Sequence, residues 1–383
     1  MNTVVFDLLH AQPVGETKFH GGGEYIKSVF NALSDCMLGQ FQVEVCFDKD
    51  AFLDDWILNV IQEKNITVHQ VKNVRDIQYV LWKMRNPENV RFFTGMIYQY
   101  ENLTFPEGCS SIGVCHGLRG LEKPYDAEAW RYISSKAEAK EWVVRTFLPQ
   151  RKINASRTMF KNLFSKFNTI ITDSEHSAYS IKVNFPDETK QKDIKIYYAP
   201  SKCVNLPESE VIEDEPYILM ISANRWLKNS YRGVVSIDRL YQKGLLEGVR
   251  TRIYGSVPES IRRNLVCKDN FDFYDYVSSE DLETAYQNCS VFFYPTLNEG
   301  FGLPPMEAMK YGKTCVISGI CSLPEVYGDS CYYCNPYDLM EMQNRLLHAI
   351  SKPISTKKVK SRVEWIQVRQ EEDLHSICNL LIK

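Results

Sequence analysis

Short apolar runs alternate with segments of helical periodicity along almost the whole chain. "TVVFDLL" (3–9) reads as a strand. In "EYIKSVFNALSDCM" (24–37), Tyr25, Ile26, Val29, Phe30 and Leu33 fall on one helical face. The pattern continues with strands at "QVEVCF" (42–47), "ITVHQV" (66–71) and "VRFFTG" (90–95), separated by helices around 51–64 and 75–85. "SSIGVCH" (110–116) and "NTIITDS" (168–174) follow, the latter opening onto another helix. The same alternation restarts after residue 205. It has strands at "YILMIS" (217–222), "RTRIYG" (250–255), "FDFYDYV" (271–277), "SVFFYP" (290–295) and "KTCVIS" (313–318), and a helix over "YRGVVSIDRLYQKG" that stops at a glycine. Strands separated by helices, with no hairpin signal, predict parallel sheets in an α/β protein. Between the halves, "SKCVNLPESEVIEDEPY" (201–217) is acidic, lacks periodicity and holds two prolines, so it reads as a linker. The expectation is two doubly wound domains facing each other across a cleft, 1–205 and 206–361, with a last helix over 362–383.

Length supports that division, because 383 residues with 44% apolar content exceed one ordinary core. A net charge of −3 gives no global electrostatic case for nucleic acid. No apolar run reaches the roughly 18–20 residues that span a bilayer. "MNTVVFDLLH" has no basic region and carries Asp7 inside its apolar run, so it reads as a first strand and not as a signal peptide. Of the twelve cysteines, Cys46, Cys115, Cys289 and Cys315 sit in or beside strand-like runs, as small hydrophobes do. Cys331 and Cys334 form one C-x-x-C, but no Cys/His pair of finger-like spacing completes a zinc site with Cys315 and Cys321. A reducing, cytoplasmic compartment is the simpler expectation. The stretch 142–172 carries six basic residues, no acid and interleaved aromatics, including Trp142, Phe147 and Phe160. It fits either peripheral contact with an anionic membrane, at its inner face, or a helical insertion packed on its own domain.

The densest chemistry lies in "YPTLNEGFGLPPMEAMKYG" (294–312). Pro304 and Pro305 suit the first turn of a helix and Gly312 its end. Glu307 then lies in that helix and Glu299 in the loop before it. On one continuous helix the two acids would stand about 12 Å apart; the loop lets both face one ligand. Gly300 and Gly302 permit close backbone approach, and the helix N-terminus favours a negative or acceptor group. Carboxylates accept hydrogen bonds from vicinal hydroxyls. Acid, bare amides and second acid therefore fit a nucleotide-sugar, although an ordinary strand–turn–helix with dipole-serving acids has the same pattern.

"EGFGLPPMEAMKYGKTCVIS…SLPEV" resembles the signature of the retaining GT-B glycosyltransferases called glycosyl transferases group 1, with two glutamates separated by seven residues and a "P-E-V" segment. The resemblance is strong over 217–336 and loose over 1–200. It implies two Rossmann-like domains, the donor bound mainly by the second, acceptor groups mainly by the first, and a last helix crossing back to the first. Arg225 and Lys228 in "SANRWLKNSYRG" look like the family's basic pair for the donor diphosphate. "FHGGGEYIKSVF" looks like its first glycine-rich loop, with Gly22 and Gly23 near the phosphates; Ile26 breaks any dinucleotide fingerprint. His116 stands where the family commonly places a histidine that contacts the transferred sugar. "TDSEHS" (172–177) resembles a strand-end serine turn. "FDFYDYVSSEDLETAY" resembles the segment beside the base, although Asp275 replaces a usual glycine, and the usual "P-N-G" is absent from "YYAPSK".

The resemblance implies front-face transfer of a hexose from a nucleotide-diphosphate sugar, with UDP or GDP as the expected nucleotide, to a saccharide or lipid-linked saccharide in surface polysaccharide assembly. Glu299 would orient the donor sugar beside the amides of Gly300, Phe301, Gly302 and Leu303, and Glu307 would bind the ribose. No cofactor or metal is expected, since the one D-x-D, "DKD" (48–50), reads as the opening of a helix. Rival readings are a nucleotide-sugar epimerase, a phosphorylase, or a non-catalytic sugar-binding protein.

Overall fold

Two parallel sheets organise the chain, and their strand orders match. A computed structural model describes residues 2–13, 20–36, 41–200, 215–275 and 277–383. The first sheet holds β1 (Asn2–Asp7), β2 (Phe41–Phe47), β3 (Thr67–Gln70), β4 (Val90–Thr94), β5 (Ser110–Cys115), β6 (Thr169–Thr172) and β7 (Asp193–Ile196) in the order β3-β2-β1-β4-β5-β6-β7. The second holds β8 (Tyr217–Met220), β9 (Arg250–Tyr254), β10 (Phe271–Tyr274), β11 (Val291–Tyr294), β12 (Thr314–Ser318) and β13 (Tyr332–Cys334) in the order β10-β9-β8-β11-β12-β13. Each order runs outward from its first strand, then reverses and runs the other way. Central strands are buried along their whole length, as in "TIIT" of β6 and "VFFY" of β11, because helices cover both faces.

The sequence located most of these elements to within a few residues. The helix Gly21–Asp35 buries Ile26, Val29, Phe30 and Leu33, the expected face. β7 and β13 were not singled out. Both are edge strands, of four and three residues, and neither has the continuous buried apolar run of the central strands. The "DKD" run forms a turn before the helix Asp55–Glu63 and does not open it: Asp48 Oδ1 accepts from Asp50 N at 3.0 Å and Gln70 Nε2 at 2.8 Å. Cys331 and Cys334 are buried, Cys331 Sγ lying 3.6 Å from Met309 Sδ. The linker reading of 201–217 lies mostly outside the described residues.

Chain contacts divide into two units, 1–118 with 155–202 and 367–383, and 119–154 with 203–366. Residues 119–154, expected within 1–205, thus fall in the second unit, and 367–383 fall in the first. Residues 119–154 join the second unit through specific bonds. Tyr132 Oη lies 2.9 Å from Ser230 Oγ, and Arg232 reaches Asp126 at 3.0 Å. The last helix, Thr356–Ile382, contributes its end to the first unit, where Asp373 accepts from Tyr198 N at 2.8 Å. In the stretch 142–172 the apolar stripe is divided. Phe160, Leu163, Phe164 and Phe167 are buried, whereas Phe147 is 70% exposed. Flanking acids supply the missing counter-charges: Glu141 pairs with Arg145 and Lys152, and Glu188 with Lys161. No helix of the described residues is long and apolar enough to cross a membrane.

Gly113 in β5 shows how tightly the first unit packs. A Cβ there would lie 2.3 Å from Ile97 Cγ2 and 2.7 Å from the Phe167 ring. Gly113→Ala is therefore expected to destabilise by about 1–3 kcal/mol in urea denaturation; an unchanged midpoint would contradict this packing.

Candidate functional site

Parallel sheets bind ligands beyond the carboxyl ends of their strands, at the point where strand order reverses. In the second unit that point lies between β8 and β11. The loop after β8 carries Arg225 and Lys228, and the loop after β11 carries Thr296 to Gly302. The loops are stitched together: Leu297 N donates to Leu227 O at 2.7 Å, Thr296 Oγ1 to the same oxygen at 3.0 Å, and Asn229 Nδ2 to Pro295 O at 3.0 Å. Topology alone therefore brings Lys228 to Glu299, 71 residues away along the chain.

Lys228 Nζ donates to Glu299 Oε1 at 2.6 Å and also to Tyr294 Oη. Tyr294 Oη donates onward to Glu299 Oε1 at 2.7 Å, and Thr296 Oγ1 to the same oxygen at 2.9 Å. The side chains of Lys228 and Glu299 are only 12% and 9% exposed, so the pair sits largely out of water. Burial lowers the Lys228 pKa below its ordinary value, against the pull of Glu299. For Glu299, burial pushes upward, but Lys228, its hydrogen bonds and Arg119 outweigh it and hold the carboxyl below its ordinary range. The group is an ionised carboxylate. All these bonds reach Oε1; Oε2 receives none among the described residues, so one carboxylate oxygen stays available to a ligand hydroxyl. Likewise two of the three Lys228 N–H donors are used.

The sequence paired Arg225 with Lys228, but the two differ in the structure. Arg225 is exposed, and its guanidinium makes no hydrogen bond or ion pair among the described residues. Arg119, in the short helix Arg119–Glu122, was missed by sequence reasoning. It too is exposed, and its charge acts on both Lys228 and Glu299. Its only sequence signal was "GLRG", downstream of His116. Tyr294 and Thr296 stand in the quoted motif, but sequence reasoning assigned them no role. Asn298 Nδ2 donates to Glu122 Oε2 at 2.7 Å, tying the Arg119 helix to the same loop.

The turn and helix after Glu299 follow the expected geometry. The helix is Leu303–Lys310, with both prolines in its first turn and Gly312 beyond its end at φ +72°. Gly302 has φ +87°, and a Cβ there would meet Leu323 Cδ2 at 2.5 Å, so only glycine fits. Gly300 and Phe301 complete this turn; Ser322 Oγ donates to Phe301 O at 3.1 Å and to Glu299 O at 3.2 Å. Glu307 pairs with the buried Lys310 at 2.6 Å and keeps 25% exposure. The segment read as lying beside a base ends β10. There the Tyr254 and Tyr274 rings stack at 4.6 Å, beside a cavity of about 370 Å³ also lined by Arg252, Val277 and Thr284. Asp275 pairs with Arg262 at 3.4 Å.

The remaining candidates belong to the first unit. His116 follows β5; its Nδ1 lies 2.6 Å from Asp173 Oδ2 and its Nε2 2.8 Å from Gly95 O, so both ring nitrogens face acceptors. Asp173 comes from "TDSEHS", whose Ser174 also caps the following helix by accepting from Ser177 N. Gly22 and Gly23 open the helix Gly21–Asp35, where Gly23 N donates to His20 Nδ1 at 3.0 Å. That amide, expected to face a phosphate, is the helix's own N-cap bond here.

Residues 205–367 match the family model described as glycosyl transferases group 1. Among curated relatives, the serotype-specific mannosyltransferase WbdA of Escherichia coli is 32% identical over 115 residues, 28% of this chain and 14% of that protein. The O-antigen chain mannosyltransferase B of Escherichia coli is 41% identical over 75 residues, 20% of each chain. These matches therefore span a small part of the relatives' length. Among solved structures, a sucrose-phosphate synthase from Thermosynechococcus elongatus aligns over 99% of this chain and 98% of its own, with a TM-score of 0.67 and 14% identity. Anabaena HepE, solved with UDP and glucose, aligns over 100% and 99%, with a TM-score of 0.63 and 11% identity.

Removing one member of the Lys228–Glu299 pair strands a buried charge. Lys228→Met and Glu299→Gln should each cost about 3–5 kcal/mol, while the double variant costs clearly less than their sum. Additive losses in urea denaturation would contradict the pairing. Because the folded Glu299 pKa is depressed, its contribution is full above the ordinary value of 4.5 and is lost as pH falls through the lower folded value. The stability gap between wild type and Glu299→Gln should shrink in that acid window.

Proposed function

We propose that this chain, whose residues 205–367 match the glycosyl transferases group 1 family, transfers a hexose, with retention, from a nucleotide-diphosphate sugar to a saccharide or lipid-linked saccharide acceptor. Its two doubly wound units have the GT-B fold. The observation that carries the reading is the cluster at the β8/β11 reversal: an ionised Glu299 with one oxygen, and Lys228 with one donor, uncommitted among the described residues, beside the exposed Arg225 and Arg119.

In this reading Arg225 and Arg119 meet the donor diphosphate, and Lys228 adds its remaining donor. Cations fixed in place before reaction stabilise the negative charge that grows as the sugar–phosphate bond breaks. Glu299 Oε2 accepts from sugar hydroxyls and sets the ring's orientation. The acceptor oxygen bonds to the anomeric carbon on the face the diphosphate leaves, and the acceptor proton passes to a leaving phosphate oxygen. Donor and acceptor then balance without a protein nucleophile, and the anomeric configuration is kept. The Leu303 amide, at the start of the helix Leu303–Lys310, adds positive potential; the two prolines that follow carry no N–H, and Met306 N is bound to Tyr327 Oη. Glu307 reads the ribose diol, and the Tyr254–Tyr274 stack with its cavity takes the base.

The relatives' names support mannose as the hexose and polysaccharide assembly as the setting. Side-chain cations meet the diphosphate charge, so the reading needs no metal. The exposed Phe147 and Leu148, beside Arg151, support peripheral contact with an anionic membrane surface.

Incubation with UDP- and GDP-hexoses and oligosaccharide acceptors, followed by NMR of the product, tests the reading. The expected product keeps the donor's anomeric configuration, forms equally in EDTA, and drops at least ~100-fold in Lys228→Ala. Inversion, formation of a hexose 1-phosphate with consumption of inorganic phosphate, or epimerisation without acceptor would overturn it.

A further inference from the structure

We propose that a cavity inside the second unit, between the helix Lys136–Phe147 and the loop 224–227, binds a sugar ring of the acceptor saccharide. The inference rests on the transferase reading above and adds a place for the substrate that the donor cluster does not hold. The cavity measures about 290 Å³, near the lower end of the ~300–1,000 Å³ of small-molecule sites. That suits one or two sugar rings and is small for a whole nucleotide-sugar.

Its walls are aromatic. Tyr125, Tyr132 and Trp142 come from the segment 119–154, and Trp226 from the loop after β8. Flat rings of this kind cover the C–H faces of a pyranose. Glu141 and Arg145 stand among them. Glu141 Oε1 accepts from Arg145 Nε at 2.9 Å and pairs with Lys152 Nζ at 2.7 Å. Its Oε2 has no partner among the described residues, and its side chain is 41% exposed. A fixed carboxylate with an open oxygen, set among aromatic rings, reads neutral hydroxyls. It disfavours a phosphate, which it would repel, and sets a charge against a lipid chain.

The walls are preformed. Tyr132 Oη accepts from Tyr231 N at 2.8 Å, and Arg145 Nη1 donates to Pro124 O at 3.1 Å. Asp126, only 4% exposed, is bound by both Arg232 and Lys123. The Arg131 guanidinium lies over the Tyr231 ring at 3.9 Å. Position supplies the last argument. Arg225 borders the cavity, and one turn, Trp226–Lys228, runs from the cavity wall to the Glu299 partner. A ring held there lies next to the group assigned to the diphosphate, where an acceptor hydroxyl must be.

The test uses the whole chain, with Trp142→Ala and Glu141→Gln. Glu141 is a partly exposed helix residue, so its isosteric change leaves the fold intact even if Trp142→Ala does not. Saturation-transfer NMR and tryptophan fluorescence are read against methyl α-mannoside, α-1,3-mannobiose and disaccharides of glucose, galactose and N-acetylglucosamine. Calorimetric titrations with UDP and GDP run alongside. At least one saccharide should bind saturably and shift tryptophan emission, and each variant should weaken it about tenfold while leaving nucleotide affinity within about twofold. Three results would overturn the inference alone: a nucleotide-binding wild type that takes no saccharide, variants that bind saccharide as wild type does, or variants that lose nucleotide affinity instead. A wild type that binds neither class of ligand would overturn the transferase reading itself.

Discussion

A lysine and a glutamate are held against each other beyond the ends of two neighbouring strands, with little water around either. Neither charge is tolerable there alone. Tyr294 and Thr296 complete the arrangement by satisfying the same carboxylate oxygen that Lys228 does. One face of the carboxylate is thereby fixed by the protein and the other is left for chemistry. The same logic applies to Lys228, anchored by two bonds with one donor to spare. Much of the second unit serves this placement. The loop after β8 must meet the loop after β11, and the Leu227 carbonyl, bound from both Leu297 and Thr296, fastens one to the other.

The glycines and prolines of the motif obey the same constraint. Gly302 must turn the chain at positive φ, where an added Cβ would lie 2.5 Å from Leu323 Cδ2. The prolines that follow set the start of a helix and remove two of its unpaired N–H groups, and Met306 N donates to Tyr327 Oη at 3.2 Å. Carboxylate, tight turn and second carboxylate follow in that order, and in the proposed reading they meet the sugar, the diphosphate and the ribose of a nucleotide-sugar. In the first unit, the reversal between β1 and β4 is likewise a polar knot: Asp7 accepts from Thr94 Oγ1 at 2.7 Å and Tyr100 Oη at 2.9 Å. Two copies of one topology thus place buried polar groups at the same topological point.

Much of this was legible in the sequence because the signals were local. Apolar runs marked the central strands, and the Gly-Leu-Pro-Pro spacing fixed the start of the helix Leu303–Lys310. What escaped was non-local. Nothing in "GLRG" says that Arg119 acts on a lysine more than a hundred residues later. Nothing in "SANRWLK" says that Lys228 is occupied by Glu299 while Arg225 is not. The segment 119–154 looked like part of the first half because it precedes the linker. Its membership of the second unit depends on the partners of Tyr132 and Asp126, which only folding reveals. The basic helix region looked uncompensated because its acids, Glu141 and Glu188, lie outside the run itself.

The most direct test is a crystal structure of the chain with a nucleotide-sugar donor bound. The expected result has diphosphate oxygens within hydrogen-bond distance of Arg225 and Lys228, and a sugar hydroxyl on Glu299 Oε2 while Oε1 keeps its present partners. A nucleotide bound away from the β8/β11 reversal, or a donor that leaves Glu299 untouched, would contradict it.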